Sequence, residues 1–557
     1  MVPTRAARPV TRPKRCRPAI WAVAAALLLA GCASAPTPAA PAVTTIPVML
    51  DPSFGTDGLV LVDIGGPVHE DEPFTLIMTA GGGYAAPGKA FNDATGDFDF
   101  ALLLFRPDGT LDDSFAGDGI ALVDFGHYDE AQGVVQQPDG TFVAGGLARK
   151  PDGTSDFALV RFHPDGTLDD SFGTGGKVTT NFYGGTNEML ALALQPDGKL
   201  VAGGLVSLTT DPTRSDFGLA RYNPDGTLDT SFGEEGKVTT DFLGGPDFMF
   251  RMLVQSDGKI VGVGSAVDPE TQVSDFAIAR YNPDGSLDES FSAGMRPGLV
   301  TTDFYGQTDY AFSVAELPGG KLLVGGLAGN PATGSNDMAL ARYNRDGSID
   351  RTFAVDGEPG VVTVDFFGDY DQILALAIQP DGKIMGAGHA KHPVRHFEFA
   401  FVRFTTDGEL DASFGLDGRF TYDGFGGPDG LHGLVLQPDG KAVAAGDIEN
   451  PSTSGDDFAL IRLLVADFDW TIAVVHRLPE EALTGPEARS ELIQALEAAD
   501  GELKDGKPSS AIEKLTELRQ RIDGCGTDPS PNDWLTCDAQ DSVRPLVNQI
   551  IYKLGGS

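Results

Sequence analysis

Apolar residues fall in short alternating runs along most of the chain, and each run ends at Gly, Pro, Asp or Asn. In one clear unit the runs are Val178 to Phe182 (VTTNF), Leu190 to Leu194 (LALAL), Leu200 to Gly204 (LVAGG) and Phe217 to Tyr222 (FGLARY). Alternation over so few residues predicts half-buried β-strands. Pro196-Asp197-Gly198 separates the second and third runs, and Pro224-Asp225-Gly226 follows the fourth. Each reads as a tight turn in which Pro presets the first corner, Asp caps it and Gly takes the left-handed position. Two such turns per unit require antiparallel neighbours and exclude a βαβ solenoid.

An LDxSF-type element marks the period. Its aromatic recurs at Phe54, Phe115, Phe172, Phe232, Phe291, Phe353 and Phe414, with spacings of 61, 57, 60, 59, 62 and 61. Self-similarity at that period means an array, and four antiparallel strands per unit are a propeller blade. The array opens at Leu50 to Phe54 with a first-type strand, Leu59 to Ile64, and closes on a fourth-type strand, Phe458 to Leu463, with no further LDxSF. The N-terminal strand is therefore expected to complete the last blade and hide its free edge. The predicted fold class is all-β: a seven-bladed β-propeller of four-stranded antiparallel blades with a terminal-strand interlock, plus a small C-terminal three-helix domain.

The LDxSFGxxGxVxTDFxG…LALQPDGKIVxxG…DFALARYNPDG pattern over residues 50–464 resembles the delta-60 repeat, a bacterial β-propeller repeat family of largely undefined function. The resemblance implies a fold and assigns no substrate and no catalytic residue.

The ends add an address. Arg5, Arg8, Arg12, Lys14, Arg15 and Arg17 precede an apolar run, Ala19 to Ala30, that is too short to span a bilayer. Leu29-Ala30-Gly31-Cys32 follows and resembles a bacterial lipobox, which implies a diacylglycerol on Cys32. Residues 1–31 read as a lipoprotein signal peptide and 32–48 as an Ala/Pro/Thr tether. The absence of Asp after Cys32 points to the outer membrane. The propeller is expected over 49–466, a connector over 467–484 and the helical domain over 485–557. Helical spacing marks Pro486 to Lys504, Pro508 to Ile522 and about Asp538 to Leu554. Cys16 leaves with the signal and Cys32 is the lipid site, so Cys525 and Cys537 are expected to form a disulfide. AIEKLTELRQRID and the CG…W…C…QxxV pattern resemble the FIMAH type of small helical module, which implies a contact role.

Charge narrows the partners. The chain carries −40, and loss of the six signal-peptide cations leaves 34 Lys and Arg against 80 Asp and Glu. Such a surface repels nucleic acid and anionic lipid.

Residues present in nearly every unit are read as structural. Asp156, Asp216, Asp275, Asp337 and Asp457 open the fourth strand, with Glu398 in one copy. Arg161, Arg221, Arg280, Arg342, Arg403 and Arg462 lie five residues on, while the first unit has Leu104. These arginines are expected to bond turn carbonyls or an LDxSF aspartate and so brace one blade against the next. The aspartates Asp108, Asp112, Asp113 and Asp118 raise the question of structural calcium, although their spacing matches no D-x-D-x-D-G loop. His389, His392 and His396 have a spacing that could converge on zinc or copper, and surface histidines are the simpler reading.

Loops 205–216, 265–275, 327–337 and 447–457 differ between copies while the PDG turns are constant, so recognition is expected on the variable-loop face. No nucleophile elbow, HExxH or phosphate-binding Gly-rich loop is present. Arg251 and His432 are inner-strand candidates for a central-channel site. The expectation is a non-enzymatic cell-envelope lipoprotein, without cofactor, that binds a protein or glycan and no nucleic acid. The alternatives are a propeller hydrolase or lyase acting on carbohydrate, and a passive envelope component.

Overall fold

The computed structural model describes residues 48–66, 69–207, 215–292, 296–355, 357–394, 396–452, 455–522 and 534–554. The signal peptide, Cys32, nearly all of the tether, part of the 205–216 loop and Cys525 lie outside these residues. No helix among the described residues is long and apolar enough to cross a membrane.

The seven units form seven antiparallel sheets, and five of them are plain four-stranded blades. In the third blade Asn187–Leu194 is innermost, followed outward by Leu200–Ser207, Ser215–Tyr222 and Lys237–Thr240. The outermost strand of each blade thus lies beyond the LDxSF element, as the repeat spacing requires. The first blade departs from the pattern. Its inner strand is split into Glu72–Pro73 and Ile77–Met78, with Pro73 unable to donate a ladder hydrogen bond. The interlock forms as expected: Leu59–Val62 pairs with Gly455–Leu464, Leu59 opposite Ile461, and Met49–Leu50 extends the same edge.

One bracket repeats around the disc. Each LDxSF phenylalanine is at most 1% exposed. In the third blade the Arg221 guanidinium stands 4.6 Å over Phe232, bonds Asp229 at 2.8 Å and reaches the carbonyl of Pro283 in the next blade's turn. Arg280 repeats this with Phe291, Asp288 and the Arg345 carbonyl, and Arg342 with Phe353, Asp350 and the Thr406 carbonyl. Arg462 closes the ring by bonding Asp51 at 2.8 Å and the Pro107 carbonyl at 2.6 Å. The PDG turn completes the bracket. Gly226 has φ +87°, and a Cβ there would lie 3.1 Å from Phe172 of the preceding blade. The first blade, with Leu104 in the arginine slot, surrounds Phe115 with Phe142 and Phe162 instead.

Among the described residues the helical region holds four α-helices, not three: α1 (Phe468–Arg477), α2 (Ala488–Lys504), α3 (Pro508–Arg521) and α4 (Cys537–Lys553). The added helix forms in the expected connector because Asp467 caps it, accepting from the Trp470 N–H at 2.9 Å. Phe468, Trp470 and Val475 bury its inner face. The expected Cys525–Cys537 disulfide is also corrected, since no disulfide occurs among the described residues and Cys525 lies outside them. The end of α3 is tied to the start of α4 by other means. Trp534 donates its backbone N–H to the Arg521 carbonyl at 3.0 Å, and its ring lies 3.9 Å beneath the Arg521 guanidinium.

Two outcomes follow from the bracket. Arg462→Ala strips buried Asp51 of its guanidinium, leaving Lys441 at 3.3 Å as the remaining cation, and is expected to cost about 1.5–3 kcal/mol in urea unfolding. Arg106→Ala, whose side chain is 39% exposed, serves as the near-neutral comparison. Acid acts on the same groups. Burial opposes the charge on Asp229, Asp288, Asp350 and Asp411, but hydrogen bonds and the paired cations overcome it, holding all four low and Asp411 at about 2. A depressed carboxylate contributes stability above its unfolded-state value of 3.8 that is lost as pH falls through the folded value. The urea midpoint is therefore expected to fall steeply between about pH 4 and pH 2.

Candidate functional site at the propeller axis

Each inner strand opens on an acidic or amide residue that serves the fold. Asp247 accepts the Phe242 N–H at 2.8 Å, and Asp309, Asp371 and Asp429 accept the equivalent N–H of Phe304, Phe366 and Gly424. The next position breaks the repeat. It is Glu72, Glu130 and Glu188 in the first three blades, then Phe248, Tyr310, Gln372 and Gly430. Two residues further on, six of the seven inner strands carry a bulge, for example between Met249 and Arg251 and between Leu431 and Gly433. A bulge leaves one residue outside the ladder and re-aims its side chain. Those residues are Gln132, Leu190, Phe250, Phe312, Leu374 and His432, with Phe74 at the matching position of the first blade.

These positions line the axis. Arg251 crosses it, donating to the Leu190 carbonyl at 3.1 Å and to the Phe74 carbonyl at 2.8 Å. Phe74 and Arg251 belong to the first and fourth blades, so the guanidinium ties the ring across its axis. Around it the lining divides by chemistry. On one side His432 meets Asp447 at 2.8 Å and Glu72 at 3.5 Å, and Lys89 holds Glu72 at 2.8 Å. Gly430 makes room for this cluster, because a Cβ there would lie 2.7 Å from the Asp447 carboxylate. Glu130 accepts from Tyr128 at 2.7 Å and from Gln132 at 2.8 Å. On the other side Phe250 packs against Phe312 with centroids 5.0 Å apart, and Phe248 and Tyr310 extend the aromatic wall.

The electrostatics differ from residue to residue. Burial, with repulsion from Glu130, pushes the Glu188 carboxyl above its ordinary range. Burial works against charge on His432, but its bond to Asp447 and the nearby Glu72 raise it above 6.5. Burial and the neighbouring His432 push His389 down to about 4. Burial alone lowers Arg251 to about 10. Glu72, His432 and Asp447 offer ligand atoms within 4.8 Å of one another, a spacing that suits a divalent cation. Lys89 already pairs with Glu72, and the imidazole is already bonded to Asp447, so the trio fits an internally balanced acid–base cluster better.

Arg251 and His432, singled out in the sequence, thus share one site. Glu72, Glu130, Glu188 and Asp447 were not singled out, although three glutamates replacing an otherwise aromatic or neutral position were a readable signal. The three histidines do not converge. His389 faces Gln372 at 2.7 Å, His392 packs edge-on against Phe367, and His396 is exposed. Asp108, Asp112 and Asp118 cap turns through Thr110, Ser114 and Ile120, while Asp113 pairs with Arg106, so these four are no joint calcium ligand set.

Residues 137–172, 195–232, 255–291, 317–353 and 379–414 match a family described as a domain of unknown function (DUF5122) beta-propeller. No curated protein matches the sequence. Among solved structures the chain is similar to a protein of unknown function from Dyadobacter fermentans, at 11% identity and TM-score 0.36, covering 73% of this chain and 99% of that one. It is similar to the polysaccharide lyase Uly1 at 10% identity and TM-score 0.40, covering 72% and 91%. The α-L-arabinofuranosidase Arb93A from Fusarium graminearum follows at 12% and 0.35, covering 59% and 91%. Likeness at this level reaches the fold alone. The expectation of a non-enzyme is nonetheless corrected, because one fold hosts unrelated functions and a propeller is no ground for excluding catalysis.

Proton NMR of the imidazoles checks the electrostatics. His432 is expected to titrate above 6.5 and His389 near 4, and Asp447→Asn is expected to lower the His432 midpoint.

Proposed function

We propose that the chain hydrolyses a neutral glycan at the propeller axis. The observation that carries this reading is the run of Glu72, Glu130 and Glu188 in three successive blades, with Phe248, Phe250, Tyr310 and Phe312 in the next two. Carboxylates in unlike environments supply an acid and a base, and aromatic faces stack on sugar rings. Glu188, raised by burial and by Glu130, is the proton donor to the glycosidic oxygen as the C–O bond breaks. Glu130, fixed by Tyr128 and Gln132, accepts the proton of the water that adds at the anomeric carbon. The acidic wall disfavours uronate-rich chains, so hydrolysis of a neutral glycan suits the site better than a lyase step on a uronate.

The loops at the end where the inner strands begin would form the rim for a longer glycan or a protein partner. The repeat motif supports a delta-60 assignment, the C-terminal pattern a FIMAH-like module, and Leu29 to Cys32 a lipid anchor, with an outer-membrane address.

Release of reducing ends from neutral polysaccharides by the full chain tests the proposal. Glu188→Gln is expected to lower kcat by about 10²–10⁴-fold. The alkaline limb of activity should belong to Glu188, falling as pH rises through its raised pKa. No release from any neutral glycan, or a Glu188→Gln enzyme as active as the parent, sinks the reading.

A further inference from the structure

Where one blade meets the next, carboxylates from three separate elements converge. Between the first and second blades these are Asp99, Asp124 and Asp129, and between the third and fourth they are Asp216, Asp241 and Asp247. In each trio one oxygen per residue lies within 4.8 Å of the others. Asp129 and Asp247 are fully buried, and in each one oxygen bonds a backbone N–H. The second oxygen of each is enclosed and has no hydrogen-bond partner. Asp124 and Asp241 are exposed and give each trio an opening to solvent.

A third junction shows what these positions become without that convergence. Between the second and third blades Asn181 and Asn187 replace two of the carboxylates. The remaining Asp156 takes Lys150 at 2.8 Å and the Asn181 amide at 2.6 Å. Where the negative charge is cut to one, the chain supplies its own cation. Between the fourth and fifth blades Asp275, Asp303 and Asp309 also converge, but both Asp309 oxygens already accept backbone N–H groups.

We propose that Asp99–Asp124–Asp129 and Asp216–Asp241–Asp247 are two calcium sites that tie neighbouring blades together. Three hard carboxylates, two from strands and one from the exposed turn between blades, are the ligand set that calcium takes and that magnesium, with its stricter octahedron, takes less readily. These aspartates are distinct from the turn-capping ones and from the axial cluster, so the sites stand apart from the proposed hydrolysis.

Isothermal titration of the chelator-treated full chain with CaCl₂ tests the assignment. Two equivalents of calcium are expected, with a thermal midpoint that rises by several degrees at about 100 times Kd and a much weaker response to MgCl₂. The double variants Asp124→Asn/Asp129→Asn and Asp241→Asn/Asp247→Asn copy the natural Asn181/Asn187 junction and should fold. Each is expected to remove one equivalent. No calcium uptake by the parent chain, or undiminished uptake by folded variants, overturns the proposal.

Discussion

The disc holds together through the arginine that leaves six of the seven fourth strands, covers its own blade's phenylalanine and reaches the backbone of the segment beyond the junction. A propeller blade buries its faces only against its neighbours, so the junctions carry the stability. Arg221 shows why one residue type suffices. Its planar guanidinium stacks on Phe232, pairs with Asp229 and still offers a donor to the Pro283 carbonyl. A lysine could satisfy one of those three demands. The lysine that is present, Lys199, adds a second cation to Asp229 from the neighbouring strand. The bracket also fixes the chain ends, because Arg462 and Asp51 lie 411 residues apart and meet in the same geometry as the internal pairs.

With the periphery fixed by repetition, the axis is free to diverge. The first residue of each inner strand is committed to a backbone bond, as at Asp247 and Asp429. The residue after it makes no such contribution, and it runs from glutamate through aromatic to glycine around the ring. The bulge acts in the same direction by lifting His432, Phe250 and Gln132 out of the ladder. Seven near-identical blades therefore present an axis lined without internal symmetry, which is what a site acting once per molecule needs.

The periodic features were legible because each copy testifies to the others. Strand order, turn chemistry, the terminal interlock and the arginine bracket all follow from residues seen six or seven times. What lies off the period was not. Helix α1 went unread because Asp467 and Trp470 acquire meaning only through a cap and a buried contact with the last blade. Among 80 acidic residues the axial glutamates stand out only once the repeats are aligned position by position, and only the ring brings Glu72, His432 and Asp447 together from both ends of the array. Arg251 was noticed for its charge, but its reach to Phe74, 177 residues away, is a property of closure.

Closure also explains why the helical region belongs to the propeller. Every other bracketing arginine ends on a turn that follows a fourth strand, and the seventh blade has no such turn because the chain leaves there. Arg403 ends instead on the Val465 carbonyl at 3.4 Å, and its guanidinium takes the Asp467 carboxylate at 2.7 Å. Phe414, which would lie under the missing turn's glycine, packs in one cluster with Ala466, Trp470 and Leu546. The last helix holds this splice from behind, Gln549 accepting the Ala466 N–H and Lys553 donating to the Ala466 carbonyl, each at 2.8 Å. Burial pushes Lys553 down to about 7, a cost tolerated where the backbone must be pinned. The helices therefore replace a seventh turn, and the bracket that begins at the first residues of the ring is completed by the last residues of the chain.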